Sequence, residues 1–361
     1  MTTLADPDTP FAVVDAAKVK RNIARLAAHV DGLGVPLRPH VKTIKSAEIA
    51  ALIHDRGPIT VSTLAEAEAF ADAGYADILY AVGIDPHKLP RVAALKRRGV
   101  TLTVLLDSVE QARAVRAAGI PAVIEVDCDG HRGGVTIDDP ALVEIGRILG
   151  ETGVLVHAGE SYFATTPDAQ HKAAEHERDV AVAAAQRLRA AGVSVHTVSV
   201  GSTPTAHAAT DLTGVTEVRA GNYVFFDLVM AGIGVCQLED LALSVVVTVI
   251  GHRPEHGWII IDGGWMALSR DLGNGRQGYG LVADLSGAVL PGLVMSAASQ
   301  EHGTLTARDG VPLPDLPIGT RLRILPNHAC ATAAQHTGYH VVNHTSTGTT
   351  IDARWRRISG W

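Results

Sequence analysis

The sequence predicts an α/β protein: a (β/α)8 TIM-type barrel with an appended C-terminal β domain. Three observations carry this. From residue 17 to 235 short β-branched runs alternate with longer amphipathic stretches; eight such runs can be counted; and after Gly234 the alternation gives way to strand-like segments separated by loops rich in Gly, Pro and Asp. No glycine-rich dinucleotide loop follows the first run, which favours a closed barrel over an open doubly wound sheet. At 361 residues the chain exceeds a typical domain of ~100–200 residues and accommodates a second, smaller domain.

Taken in order, residues 1–16 form an N-terminal segment expected to pack on the β domain, and 17–235 form the barrel. The candidate barrel strands are 37–41, 59–62, 77–82, 101–106, 122–127, 154–157, 195–200 and 215–219. Between them lie helical patterns such as 64–73, with Glu66 and Glu68 outward, and 168–191, dense in alanine and interspersed charge. The β domain covers 236–361, with strands at 241–251, 258–261, 321–325 and 339–343. The glycine-rich stretch 270–280 reads as a functional or interface loop.

Composition narrows the function classes. With 47% hydrophobic and 19% charged residues the chain is globular, not a disordered scaffold. A net charge of -7 without a basic tail gives no nucleic acid as an expected partner. Apolar runs such as 241–250 stop short of the ~20 residues that span a bilayer, and residues 1–9 lack a basic start and an apolar core, so no membrane is expected and the location reads as cytoplasmic. Three well-separated cysteines do not make a disulfide framework.

In a barrel the C-terminal strand ends carry the chemistry. Lys42 closes the first strand, where an ammonium loses hydration and its pKa tends to fall, as a Schiff-base lysine requires; equally, it could rim the barrel and pair with a carboxylate. Lys45, three positions on, is expected to face solvent. Asp127 and Arg132 follow the fifth strand, His157 and Tyr162 the sixth. The seventh runs into Gly201, Ser202, Thr203 and Pro204, the eighth into Gly221, Asn222 and Tyr223; turns of this kind hold a phosphate through N–H groups and hydroxyls, or are ordinary turns. His328 and Cys330, one residue apart, would share a face on an extended strand and could bind one Zn2+, or be a core histidine beside a buried cysteine. Cys128, with His131 beyond a glycine turn, and Cys236 read as structural. His252, His256, His336, His340 and His344 read as surface residues in loops or strand ends.

Together, TPFAVVDAAKVKRNIARLAAH, LRPHVKTIK, VSTLAEAEAFADAG, EVDCDGHRGGV, GESY, GSTPT, AGNYVFFD, SQEHG and LPNHAC resemble, in order and across nearly the whole chain, the D-threonine aldolase and D-serine dehydratase family. These are pyridoxal-phosphate enzymes of alanine-racemase-like fold. The resemblance implies that Lys42 is the Schiff-base lysine, that Arg132 sits near the cofactor ring oxygen, and that Tyr162, Gly201, Ser202, Thr203, Gly221, Asn222 and Tyr223 fall on cofactor-holding segments. It implies His328 and Cys330 as the ligands of zinc or another divalent ion such as Mn2+. A His and Cys pair resembles the dehydratase branch, whereas the aldolases more often pair histidine with aspartate. Two departures stand out: Ile44 replaces the histidine of the family's KTHK, and Glu160 in GESY stands where a histidine is frequent.

The expected reaction is dehydration and deamination of a D-3-hydroxy amino acid, D-serine or a D-3-hydroxyaspartate-like substrate, to a 2-oxo acid and ammonia. Lys42 takes the α-proton, and the metal aids departure of the hydroxyl. The alternatives are retro-aldol cleavage to glycine and an aldehyde, a racemase with Tyr279 as second base, a non-catalytic pyridoxal-phosphate carrier, and a metal-free barrel of unrelated function. A homodimer is expected, since in this fold the β domain of one subunit usually covers the barrel of the other.

Overall fold

The computed structural model describes every residue except 1, 131, 274, 276, 309 and 344–348, so His131 and His344 lie outside the described residues. Two compact units emerge: a barrel unit, Ala24–Tyr223 with Ile358–Trp361, and a β unit, Met1–Ile23 with Val224–Arg357. The chain thus changes unit at 23/24 and 223/224, not at the expected 16/17 and 235/236. Aromatic burial and backbone pairing set the second limit: Phe225 packs edge-on to Tyr339 with ring centroids 5.6 Å apart, its carbonyl accepts from Ala242 N–H, and Asn327 O accepts from Val229 N–H.

The chain opens with β1 (Phe11–Asp15) and α1 (Ala16–Gly32), where Asp15 Oδ1 accepts from Ala17 and Lys18 N–H and caps the helix. The barrel unit then runs α2 (Ala47–Ile53), β2 (Ile59–Val61), α3 (Leu64–Asp72), β3 (Asp77–Gly83), α4 (Leu89–Arg97), β4 (Thr101–Leu106), α5 (Val109–Ala117) and β5 (Ala122–Val126). It continues with α6 (Pro140–Leu149), β6 (Glu151–Val156), α7 (Pro167–Ala190), β7 (Ser194–Val200), α8 (Thr203–Ala208) and β8 (Glu217–Val218). Strands β2 to β8 pair in parallel in sequence order. Leu79, Leu105, Val123 and Leu155 of four successive strands pack together on one face of the sheet.

The eighth position belongs to the segment 36–41, which is not a regular strand. Val218 N–H donates to Pro36 O, and Arg38 and His40 N–H donate to Val218 and Ala220 carbonyls; on the other side Thr60 N–H donates to Pro39 O and Val41 N–H to Thr60 O. Pro39 has no N–H to give, which breaks the ladder into isolated bridges. Arg38 compensates: its Nε meets Glu217 Oε2 at 2.7 Å, Nη1 meets Asp77 Oδ1 at 3.0 Å and Ile59 O at 3.2 Å, so one side chain joins β8, β2 and β3.

The β unit continues with α9 (Leu228–Gly232), β9 (Leu243–Arg253), β10 (Trp258–Ile261), β11 (Gly280–Ala283), β12 (Val289–Ala298), β13 (Gly303–Ala307), β14 (Arg321–Pro326), α10 (Ala329–Ala333), β15 (Gly338–Val342) and β16 (Ala353–Arg356). Six strands close a ring, β10-β13-β12-β11-β14-β9 and back to β10, and β1, β15 and β16 extend the sheet from β9. Alternation fills the ring: Val245, Val247 and Val249, Ile259 and Ile261, Leu293 and Met295, and Leu322 and Ile324 share one core, each set two residues apart. Val246, between two of them, turns the other way and packs with Leu4, Phe11, Val13 and Val342. No helix among the described residues is long and apolar enough to cross a membrane.

Two expectations about exposure are corrected. Glu66 does not point outward; it is fully buried, accepting from Ser62 N–H and Oγ at 3.1 and 2.7 Å, and Lys45 Nζ lies 3.3 Å from the same oxygen. Lys45 is therefore an internal partner and not a solvent-facing side chain. Of the described histidines expected on the surface only His256 is exposed; His252 and His336 are half-buried with ring nitrogens against the carbonyls of Leu316 and Ala267, and His340 is half-buried against Phe11.

Arg38→Met, which keeps the stem but removes four hydrogen bonds to three partners, is expected to destabilise the barrel unit by about 1–3 kcal/mol. The midpoint of urea unfolding checks this.

Candidate active site and metal pair

At the C-terminal ends of the barrel strands the predicted residues converge. Lys42 follows the closing segment 36–41, half-buried, and its N–H donates to His40 Nδ1 at 3.4 Å. Arg132 sits on the loop after β5 and pairs with Glu125, whose Oε1 lies 3.1 Å from Nη2. The imidazole of His157, just past β6, has Nδ1 3.1 Å from Gly201 O, and the Tyr162 ring is tilted beside it at 6.3 Å. Asp127 instead serves its own turn, accepting from Asp129 and Gly130 N–H.

The two glycine turns are dictated by close backbone approach. Gly201 has φ +137°, and a Cβ there would stand 2.0 Å from Arg219 O; at Gly221 a Cβ would stand 2.7 Å from His40 O. Thr203 Oγ1 accepts from Tyr223 N–H at 3.2 Å, which joins the turn after β7 to the turn after β8. Ser202 caps α8: its Oγ accepts from Thr205 N–H, and it exchanges hydrogen bonds with Thr205 Oγ1 at 2.9 Å and Ser161 Oγ at 2.7 Å. Behind these turns Glu177 of α7 is buried; burial pushes its carboxyl pKa up, while donors from Thr205, Ala158 and Gly201 pull it back.

The field at this end is cationic. Burial first, then the charges of Lys42, Arg132 and Arg219, push the His157 pKa down to about 3, and the same causes hold His40 well below the usual imidazole range. Both rings are neutral at neutral pH. Arg219 is 3% exposed, with Nε 2.7 Å from Ser199 Oγ and Nη2 2.5 Å from Val156 O. The Tyr223 hydroxyl is buried with no partner among the described residues. A lysine amine, a cationic field, hydroxyl-bearing turns and an orphan donor fit an aldehyde cofactor that carries a phosphate and a ring oxygen.

The sequence singled out neither His40 nor Arg219, and named His157 only as a polar residue at a strand end. A histidine two residues before the lysine, in RPHVK, was a signal available for the first; Arg219 ends an apolar strand and left none.

Within the β unit, His328 and Cys330 do not share an extended strand. Strand β14 ends at Pro326, His328 is the N-cap of α10, and Cys330 lies in the first helical turn. A strand cannot continue here because Asn327 turns its side-chain N–H groups onto the carbonyls of Asp271 and Gly278, and Asp227 Oδ2 takes Ala329 N–H at 2.9 Å. The pair still meets, through this turn: hydrogen bonds to Asp271 first and Cys330 second push the His328 pKa up to about 10.

Asp271 Oδ2 lies 2.8 Å from His328 Nδ1, which leaves Nε2 for a metal; the loop 270–280 thus supplies a residue the sequence did not single out. A negative environment that stabilises imidazolium also favours a dication, so the donor set fits zinc. No group of three or more metal-binding side chains occurs among the described residues. Burial and three carboxylates push the Cys128 thiol up to about 12, which makes it inert.

A metal must displace the His328 proton, so Zn2+ affinity is expected to rise with pH from 6 to 9 by about tenfold per unit for each proton released. Asp271→Asn is expected to lower that affinity about 10–100-fold. Calorimetric titration in buffers of different ionisation enthalpy measures both.

Comparison with known proteins fits these two units. The alanine racemase N-terminal domain matches over residues 14–229, and a putative serine dehydratase domain over residues 242–342. The chain is 53% identical to the D-threo-3-hydroxyaspartate dehydratase of Delftia sp. (strain HT23) over 99% of both chains. It is 32% identical to the D-serine dehydratase of Dictyostelium discoideum, over 93% of this chain and 94% of that one. The solved structure of the Delftia sp. HT23 enzyme covers both chains in full with a TM-score of 0.95 at 52% identity. Alanine racemase of Clostridium difficile 630, 13% identical over 94% and 97% of the two chains with a TM-score of 0.66, shares the fold. With a barrel end built around Lys42 and matches of this extent, the chain belongs to the pyridoxal-phosphate-dependent lyases that join an alanine-racemase-type N-terminal domain to a serine dehydratase domain.

Proposed function

We propose that this protein dehydrates a D-3-hydroxy amino acid, with D-threo-3-hydroxyaspartate as its first candidate substrate and D-serine as its second, releasing a 2-oxo acid and ammonia. The observation that carries the reading is the position of Lys42: its amine stands at a barrel end whose imidazoles, His40 and His157, are held neutral by burial first and by neighbouring cations second. In such a place a lysine amine can take the α-proton and return it. Bound pyridoxal phosphate would supply an electron sink for charge developing at the α-carbon. The cations Lys42, Arg132 and Arg219 would favour its anionic oxygens, and the turns at Gly201–Thr203 and Gly221–Tyr223 would hold its phosphate. Neutral His40 and His157 add no positive charge beside Lys42.

A divalent ion on His328 and Cys330 would supply Lewis acidity to a hydroxyl oxygen, which makes hydroxide a better leaving group. One solved form of the related dehydratase is described as metal-free, which suits a protein that binds a metal. Loss of hydroxide needs no base at the β-oxygen, whereas retro-aldol cleavage does. Ile44, 1% exposed, offers none where KTHK has a histidine. Relatives named as aldolases are 27% and 30% identical, against 53% for the dehydratase. We also propose a homodimer in the cytoplasm, on the habit of this fold and on the residue composition.

The test is to load the purified protein with pyridoxal phosphate and zinc, offer D-threo-3-hydroxyaspartate, D-serine and D-threonine, and measure 2-oxo acid and glycine in parallel. Oxo acid and ammonia without glycine are expected. Lys42→Ala is expected to lower turnover at least ~10⁴-fold, and Cys330→Ala ~10²-fold or more. Glycine with an aldehyde would overturn dehydration, and a protein that never takes up the cofactor would overturn the whole reading.

A further inference from the structure

The barrel end contains one buried acid that the reaction does not use. Glu177 lies midway along α7 and is 2% exposed. Its Oε1 accepts from Ala158 N–H at 2.8 Å and its Oε2 accepts from Thr205 Oγ1 at 2.7 Å. These donors come from two places: Ala158 follows β6, while Thr205 lies just past the turn after β7.

An ionised carboxylate only accepts, so the Thr205 hydroxyl must spend its hydrogen on Glu177. Toward Ser202 the same oxygen then acts as an acceptor, and it holds the Ser202 N–H at 2.9 Å. From Glu177 the contacts pass through Thr205 to Ser202, whose Oγ stands 2.7 Å from Ser161 Oγ; the single hydrogen of Ser161 is shared between Ser202 Oγ and the Ala158 carbonyl, also 2.7 Å away. A carboxylate taken out of water is costly, and an apolar side chain at this helix position would pack as well. What an apolar side chain could not do is fix the turn Gly201–Ser202–Thr203 from behind in one orientation.

We propose that Glu177 is a positioning residue for the cofactor's phosphate: through Thr205 it sets the Gly201–Thr203 turn in the shape that receives a phosphate dianion. The inference rests on the proposed function, since it takes this turn as the phosphate site. It goes further in assigning phosphate recognition to a buried carboxyl group that lies behind the turn and does not itself meet the phosphate.

The test separates phosphate recognition from general loosening of the barrel. Dissociation constants for pyridoxal 5'-phosphate and for pyridoxal, which has the same aldehyde and ring but no phosphate, are measured by absorbance for wild type, Glu177→Gln, Thr205→Val and Thr205→Ser. Glutamine keeps the volume of glutamate but turns an NH2 toward an amide donor; valine removes the hydroxyl link, and serine restores it. Glu177→Gln and Thr205→Val are each expected to weaken pyridoxal phosphate about tenfold or more while leaving pyridoxal within about twofold. Thr205→Ser should stay near wild type. Should Glu177→Gln not fold, the Thr205→Val and Thr205→Ser pair decides alone. Equal weakening of both ligands, or no change in either, overturns the positioning role while leaving the proposed function standing. Wild type that binds neither ligand overturns both.

Discussion

The barrel depends on how residues 36–41 are held between β8 and β2. Seven strands pair regularly in parallel, but the eighth place is filled by a proline-containing stretch that forms isolated bridges. A guanidinium supplies what the backbone lacks, joining three neighbouring strands through Arg38. Lys42 lies four residues past Arg38 and directly follows Val41, so the hold on this segment also sets the depth of the amine. The same closure explains Gly221, whose α-carbon lies so near the His40 carbonyl that no side chain fits.

Charge at the barrel end is arranged in shells. The cations Lys42, Arg132 and Arg219 dominate the field felt by His40 and His157, while Glu125, Glu177 and Glu217 stand behind them on the strands and on α7. Without the carboxylates the buried arginine would be an uncompensated charge; burial first and the cations second keep the two histidines uncharged. In the β unit the polarity reverses: Asp271, Asp227 and Cys330 raise the proton affinity of His328 and so prepare a place for a dication. One chain thus presents an anion-favouring end and a cation-favouring pair, each built from buried groups whose partners are fixed.

Much of this was legible in the sequence, for physical reasons. Seven of the eight expected barrel strands form, since parallel strands are buried on both faces and read as continuous β-branched runs; the first, 37–41, takes its place in the barrel but makes only isolated bridges. In the β unit, 241–251 and 258–261 were visible as valine and isoleucine runs. Strands β11, β12 and β13 were not, because glycines, a proline and threonines interrupt them and their pairing is set by partners remote in sequence. Lys42, the glycine turns and the His328 and Cys330 pair were marked by their neighbours in sequence. Glu177 and Asp271 were not, since each acts on residues that tertiary folding alone brings to it. Glu66 looked like a surface charge from its helical position and is an internal one, because Ser62 and Lys45 reach it from the preceding segments.

The place of β1 has a consequence for how the molecule is made. Residues 11–15 pair with β9, antiparallel, and with β15, parallel, whose first residue is Gly338. A ribosome working at ~5–20 residues per second needs roughly half a minute between releasing one partner and releasing the other. Until β9 is made both edges of β1 lack their partners, and until β15 is made one still does, while the barrel residues between are already complete. A permuted chain beginning near residue 224 would synthesise the β unit's strands consecutively, with β1 joining at their end.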